Sequence, residues 1–96
     1  MATFISLVNF TEQGIKSIKD SPDRAAAFKA QAEKAGVSVK AMYYTVGRYD
    51  MVLVAEGTDE ACTAALLKIG SAGNVRSETL RGFSIEEMRK IIGHIN

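Results

Sequence analysis

The stretch Val37–Ala55, VSVKAMYYTVGRYDMVLVA, decides how this chain folds. Two runs rich in β-branched, aromatic and Met residues, Val37 to Val46 and Tyr49 to Ala55, flank the dipeptide Gly47-Arg48. Such runs read as strands, and a two-residue Gly-X loop suits a type II′ hairpin because Gly accepts the positive φ that the turn demands. That loop sets Val46 opposite Tyr49, Thr45 opposite Asp50, Tyr44 opposite Met51 and Tyr43 opposite Val52. Strict alternation then puts Lys40, Met42, Tyr44, Val46, Tyr49, Met51 and Leu53 on one face. Val37, Val39, Ala41, Tyr43, Thr45, Asp50, Val52 and Val54 take the other. The second, compact set is expected beneath Ala-rich helices. The first is too bulky and apolar for water and is expected to meet another subunit. A four-residue loop, Gly47 to Asp50, would instead reverse the facing of the later strand.

Working outward, Thr3 to Phe10 (TFISLVNF) is a strand with apolar residues at both parities, as in a central strand covered on both faces. Thr11 to Asp20 is a mixed connection, with a short helical turn capped by Thr11 and weakened by Gly14. Ser21-Pro22 opens a helix that runs through RAAAFKAQAEKA, and Gly36 ends it. Thr58 or Asp59 caps a second helix with Cys62, Ala65, Leu66 and Ile69 inward, which Gly70 and Gly73 terminate. Asn74 to Phe83 is a fourth strand. Ser84 and Glu87 have capping-box spacing and open a last helix whose apolar side is Ile85, Met88, Ile91, Ile92 and Ile95.

The order β-α-β-β-α-β plus a trailing helix is the ferredoxin-like, α+β pattern: a four-stranded antiparallel sheet with two helices on one face. At 96 residues the chain is one domain, 1–96, with a thin core that a second copy would complete, so a homodimer or higher homo-oligomer is expected.

Composition excludes several classes. Twelve basic and eleven acidic residues leave a net charge of +1, too little for a nucleic-acid footprint. No apolar run spans a membrane, and no signal peptide is read at the N-terminus. A lone cysteine fits a reducing compartment, so a cytoplasmic location is expected. No Walker loop, dinucleotide fingerprint, zinc spacing or nucleophile elbow is present, and His94 has no second ligand near it in sequence, so neither cofactor nor metal is expected.

The candidate chemistry gathers around the hairpin. Asp50 is a candidate proton acceptor, since a desolvated carboxylate accepts protons more strongly, and Tyr43 or Tyr49 is a candidate donor. Arg76 or Arg81 would anchor a small anion through a bidentate fork. Arg48, Thr45 and Asn9 complete the expected binding set. The competing structural role gives Asp50 to the hairpin, accepting hydrogen bonds there or pairing with Lys16 or Lys19. Two activities fit these parts: a cofactor-independent isomerase or lyase acting on a small organic or aromatic compound, or a non-catalytic metabolite-binding or regulatory module. In a third reading, the residues around Gly47 serve folding alone.

Gly47, Tyr49 and Asp50 in GRYDMVLVAEGTDEA resemble the signature of the GYD domain family. QGIKSIKDSPDRAAAF, AEKAGVSVKAMYYTVGRYD and GNVRSETLRGFS are similar to that family's usual stretches, so the resemblance covers nearly the whole chain. It implies a place among the dimeric α/β-barrel proteins, in which two ferredoxin-like sheets pair into a barrel. That superfamily hosts enzymes and effector-binding modules alike, so the resemblance assigns no reaction.

Overall fold

The computed structural model describes residues 1–95. Its elements are β1 (Ala2–Phe10), α1 (Glu12–Lys16), a 3-10 turn (Ile18–Asp20), α2 (Ser21–Lys34), β2 (Ser38–Tyr44), β3 (Met51–Gly57), α3 (Asp59–Ser71), β4 (Val75–Gly82) and α4 (Ile85–Ile92). The four strands form one antiparallel sheet in the order β2-β3-β1-β4. This is the expected ferredoxin-like α+β fold, with α1 and the 3-10 turn filling the mixed connection.

Local chemistry explains the boundaries. Thr11, Thr58 and Ser84 each cap a helix by accepting a backbone N–H, from Gly14, Ala61 and Glu87 respectively. Ser84 and Glu87 complete the capping box in both directions. Gly14, which costs α1 helix propensity, is buried because α1 abuts the turn before β4. A Cβ there would lie 1.9 Å from the Asn74 carbonyl oxygen. Thr11 and Gln13 bond the same turn: Thr11 N–H donates to Asn74 O, its hydroxyl to Gly73 O, and the Gln13 amide to Asn74 Oδ1.

The hairpin register is the expected one near the loop, with Tyr44 opposite Met51, Tyr43 opposite Val52 and Met42 opposite Leu53. The strands stop at Tyr44 and Met51, however, so the connection is a six-residue loop, 45–50, rather than a two-residue turn. Gly47 still takes a positive φ of 131°.

Val37 and Val39 face the helices as expected, but from Ala41 onward the facing is the reverse of the expectation. Met51, Leu53 and Ala55 are buried against the helices, and Tyr44 reaches Ser21 of α2 with its hydroxyl 2.8 Å away. Ala41, Tyr43, Val52 and Val54 lie on the open side. The physical reason is a β-bulge: Val39 pairs with Ala55 and Ala41 with Val54, leaving Lys40 as an extra residue. One extra residue inverts parity, so Val39 shares the helix side with Met42 and Tyr44 instead of with Ala41 and Tyr43. Bulky Met42 and Met51 fill the space beneath the Ala-rich helices, where small side chains would leave a void.

The core therefore lies between the sheet and α2 and α3, around Val8, Ala32, Val37, Leu53 and Cys62. Ser6 is buried there too, and its hydroxyl is bonded to that of Thr79 at 2.9 Å. The opposite face of the sheet carries Ile5, Leu7, Val52, Val54, Tyr43 and Leu80 with no layer over it among the described residues.

Candidate functional site

The loop 45–50 is held by its own signature residues. Thr45 N–H donates to Asp50 O at 2.8 Å, and the Thr45 hydroxyl donates to Tyr49 O at 2.6 Å. Asp50 then ties the loop to the end of β1. Its N–H donates to Val8 O at 2.9 Å, and its Oδ2 accepts the Phe10 N–H at 2.8 Å. Phe10 N–H has its acceptor at the point where β1 outruns β3, because the ladder stops at Val8–Met51. Asp50 thus supplies the hydrogen bond that a further strand residue would have made. Its ties are to β1, not to Lys16 or Lys19.

Tyr49 extends over the open face and donates its hydroxyl to Glu78 Oε1 of β4 at 3.0 Å. The Arg48 guanidinium sits 5.6 Å from the centre of the Tyr49 ring, a cation–π distance. Together with Leu7, Asn9 and Arg76 these residues line a shallow cleft of about 300 Å³. Asn9 and Arg76 are cross-strand partners, so the register of β1 and β4 places both in it.

Four of the eight expected residues therefore meet: Asn9, Arg48, Tyr49 and Arg76. The other four lie elsewhere. Tyr43 stands on the open face of β2, 65% exposed. Thr45 and Asp50 are bonded within the loop and its anchor. Arg81 is at the far end of β4, stacked 4.5 Å from the Phe83 ring and 5.7 Å from that of Phe4, and bonded to Thr3 O and Gly82 O. The cleft thus holds two guanidinium groups, a phenol and the Glu78 carboxylate that the phenol binds, a set suited to polar recognition. No group of three His, Cys, Asp or Glu positioned for a metal occurs among the described residues. No helix among them is long and apolar enough to cross a membrane.

The model of the GYD domain matches residues 4–92, which includes all of the sheet but the first two residues of β1, the loop and α4. The chain belongs to the GYD domain family. A curated relative within reach is the glutamine synthetase and cystathionine beta-lyase binding protein of Thermus thermophilus, 34% identical over 90 residues that cover 92% of this chain and 95% of that one. That relative is named for binding two other proteins, not for a reaction of its own. In this GYD domain the aspartate of the signature secures the loop against β1, while the tyrosine faces outward into the cleft.

Sequence reading missed two features. Glu78 as the acceptor for Tyr49 was signalled only by its sharing a face with Arg76. A second, larger cavity of about 480 Å³ lies between α2 and α3, with Arg24 and Lys68 in its lining. The Ala-rich spacing of both helices was its signal, because Ala side chains are too short to close the space between two helices.

Proposed function

We propose that this protein is a cytoplasmic, non-catalytic binding module that self-associates and docks on other proteins, glutamine synthetase and cystathionine beta-lyase of its own source being the first partners to test. The observation that carries the reading is the uncovered sheet face. Ile5, Leu7, Val52 and Val54 form an apolar centre, and Tyr43, Arg48, Tyr49 and Arg76 surround it. Tyr and Arg are the residues that contribute most to protein interfaces, and an apolar patch rimmed by them is built for association rather than for water. The relative's printed name supports the same reading.

Self-association uses the apolar centre, one sheet laid on the sheet of a second copy, as the family resemblance implies. The cluster at the loop end stays at the rim and meets the partner protein. The acid/base reading is weaker because Asp50, its central group, is engaged by Phe10 and Val8.

Surface plasmon resonance with each purified enzyme tests this. Saturable binding is expected, weakened at least tenfold in the double variant Arg48→Ala, Tyr49→Ala, about the effect of losing one interface anchor worth 1.4 kcal/mol or more. No binding of either enzyme at tens of micromolar, by protein of native secondary structure, would overturn it.

A further inference from the structure

Beside the open sheet face, two further apolar features of the described residues face solvent. The first is α4. Its apolar side, led by Ile85 at 76% and Ile92 at 54% exposure, is uncovered, and no element among the described residues packs broadly over it. At eight residues it is too short to hold its shape in water by propensity alone, so it needs cover from elsewhere. The second is the groove between α2 and α3, walled by Ala27, Phe28, Ala32, Ala64, Ala65 and Ile69. We propose that α4 of one copy seats in the α2–α3 groove of a second copy.

Size supports this. Eight helical residues are about 12 Å long, and the groove follows α2 from Arg24 to Ala35, about 16 Å. Ala walls permit close helix approach, and the Ile and Met side chains of α4 fill the space they leave.

Charge fixes the direction. β1 and β3 are antiparallel, so the helices that follow them, α2 and α3, run in opposite directions. The end of the groove where α2 begins and α3 finishes therefore carries Arg24 and Lys68. Arg24 is held by Ser17 through Nη1, while its Nη2 has no acceptor among the described residues. The other end carries Asp59 and Glu60, in the first turn of α3, with Lys34 of α2 near them. Asp23 stands near Arg24 and Lys68 at the first end, so the ends still differ in sign, basic at the first and acidic at the second. In α4 the acidic residues, Glu86 and Glu87, are in the first turn and the basic residues, Arg89 and Lys90, in the last. Charges match when α4 starts at the Arg24–Lys68 end, parallel to α2.

The chain's own α4 cannot take that direction. Gly82 pairs with Thr3, at the end of the sheet where Ala2 pairs with Gly57, two residues before Asp59. Phe83 and Ser84 alone link β4 to α4, so a fold-back would start α4 at the acidic end. Glu86 and Glu87 would meet Asp59 and Glu60, and Arg89 and Lys90 would approach Arg24 and Lys68. A second copy is free of the tether and takes the matching direction.

Site-specific cross-linking tests this, in full chains carrying Cys62→Ala. Protein with Ala65→Cys is mixed with protein with Met88→Cys and oxidised. The expected product is a disulfide-linked pair of one chain of each kind, several-fold more abundant than in either protein alone. Lys68→Glu should lower its yield about tenfold, and Glu86→Lys on the other chain should restore it. No mixed product from folded proteins would overturn the proposal. So would a ring within one chain when both cysteines are placed together at high dilution, or an acyl ligand retained in the groove in native mass spectrometry. The sheet-face and partner-binding reading is separate: binding of either enzyme by the full chain carrying Lys68→Glu upholds that reading whatever α4 does.

Discussion

The carboxylate of Asp50 accepts the backbone N–H of Phe10 at 2.8 Å, at the end of the sheet where β1 outruns β3. The bond joins the residue that closes the hairpin loop to the residue that closes the first strand. It makes Asp50 a fastening of the fold before it is anything else.

Removing that fastening has a stability cost. Asp50→Ala leaves the Phe10 N–H without its charged acceptor, a loss of about 1.5–3 kcal/mol for a charge-assisted hydrogen bond. Asp50→Asn keeps an oxygen acceptor and should lose less. Urea denaturation monitored by far-UV circular dichroism checks both. An Asp50→Ala protein as stable as the parent would contradict the fastening role.

Gly14→Ala should destabilise the protein even though Ala favours a helix by about 1 kcal/mol over Gly. The new Cβ would sit 1.9 Å from Asn74 O, and backbone must move to admit it. Overpacking of this kind costs about 1–3 kcal/mol. A fall in Tm is the expected result of a thermal melt, whereas a rise would show that α1 moves away freely.

α4 should loosen in acid. Hydrogen bonds from the Ser84 backbone N–H and then its hydroxyl hold the Glu87 carboxyl below the usual glutamate range. A group lowered in the folded state stabilises above its unfolded pKa and loses that contribution as pH falls through the folded one. The capping box should therefore be intact at neutral pH and open on acidification through and below the glutamate range. Amide chemical shifts of Ser84 to Met88 followed against pH report it. Glu87→Gln, which retains an acceptor without charge, should flatten the profile.

Cys62 should be a slow nucleophile. Burial pushes its thiol above the usual range and the Asp59 charge adds to that, so little thiolate forms near neutrality. Labelling with an iodoacetamide should be slow in the native protein and rise by orders of magnitude in denaturant. Equal rates in both would place Cys62 outside the core.

The elements were legible because their signals are local. Ser21-Pro22, the Thr58 and Ser84 caps, the Gly36 stop and the β-branched runs act through backbone geometry within a few residues. The pairing of Tyr44 with Met51 was legible for the same reason, since a short loop leaves few registers. Of the residues expected around a site, Asn9, Arg48, Tyr49 and Arg76 share the cleft, because the β1–β4 register sets Asn9 beside Arg76 and the loop carries Arg48 and Tyr49 over the same face. Arg81 stands apart, at the other end of β4, where its guanidinium stacks on Phe83 and Phe4.

By itself, then, the amino-acid sequence determined the order of elements, the antiparallel ferredoxin-like pattern and the family. Tertiary structure decided which face of the hairpin is inside. The extra residue at Lys40 reverses parity along β2, and no local propensity announces it; it is set by the need to seat Val37, Val39, Met42 and Tyr44 together beneath α2 and α3. That one reversal left Tyr43, Val52 and Val54 on the open face and put Met42, Tyr44, Met51 and Leu53 on the helix side.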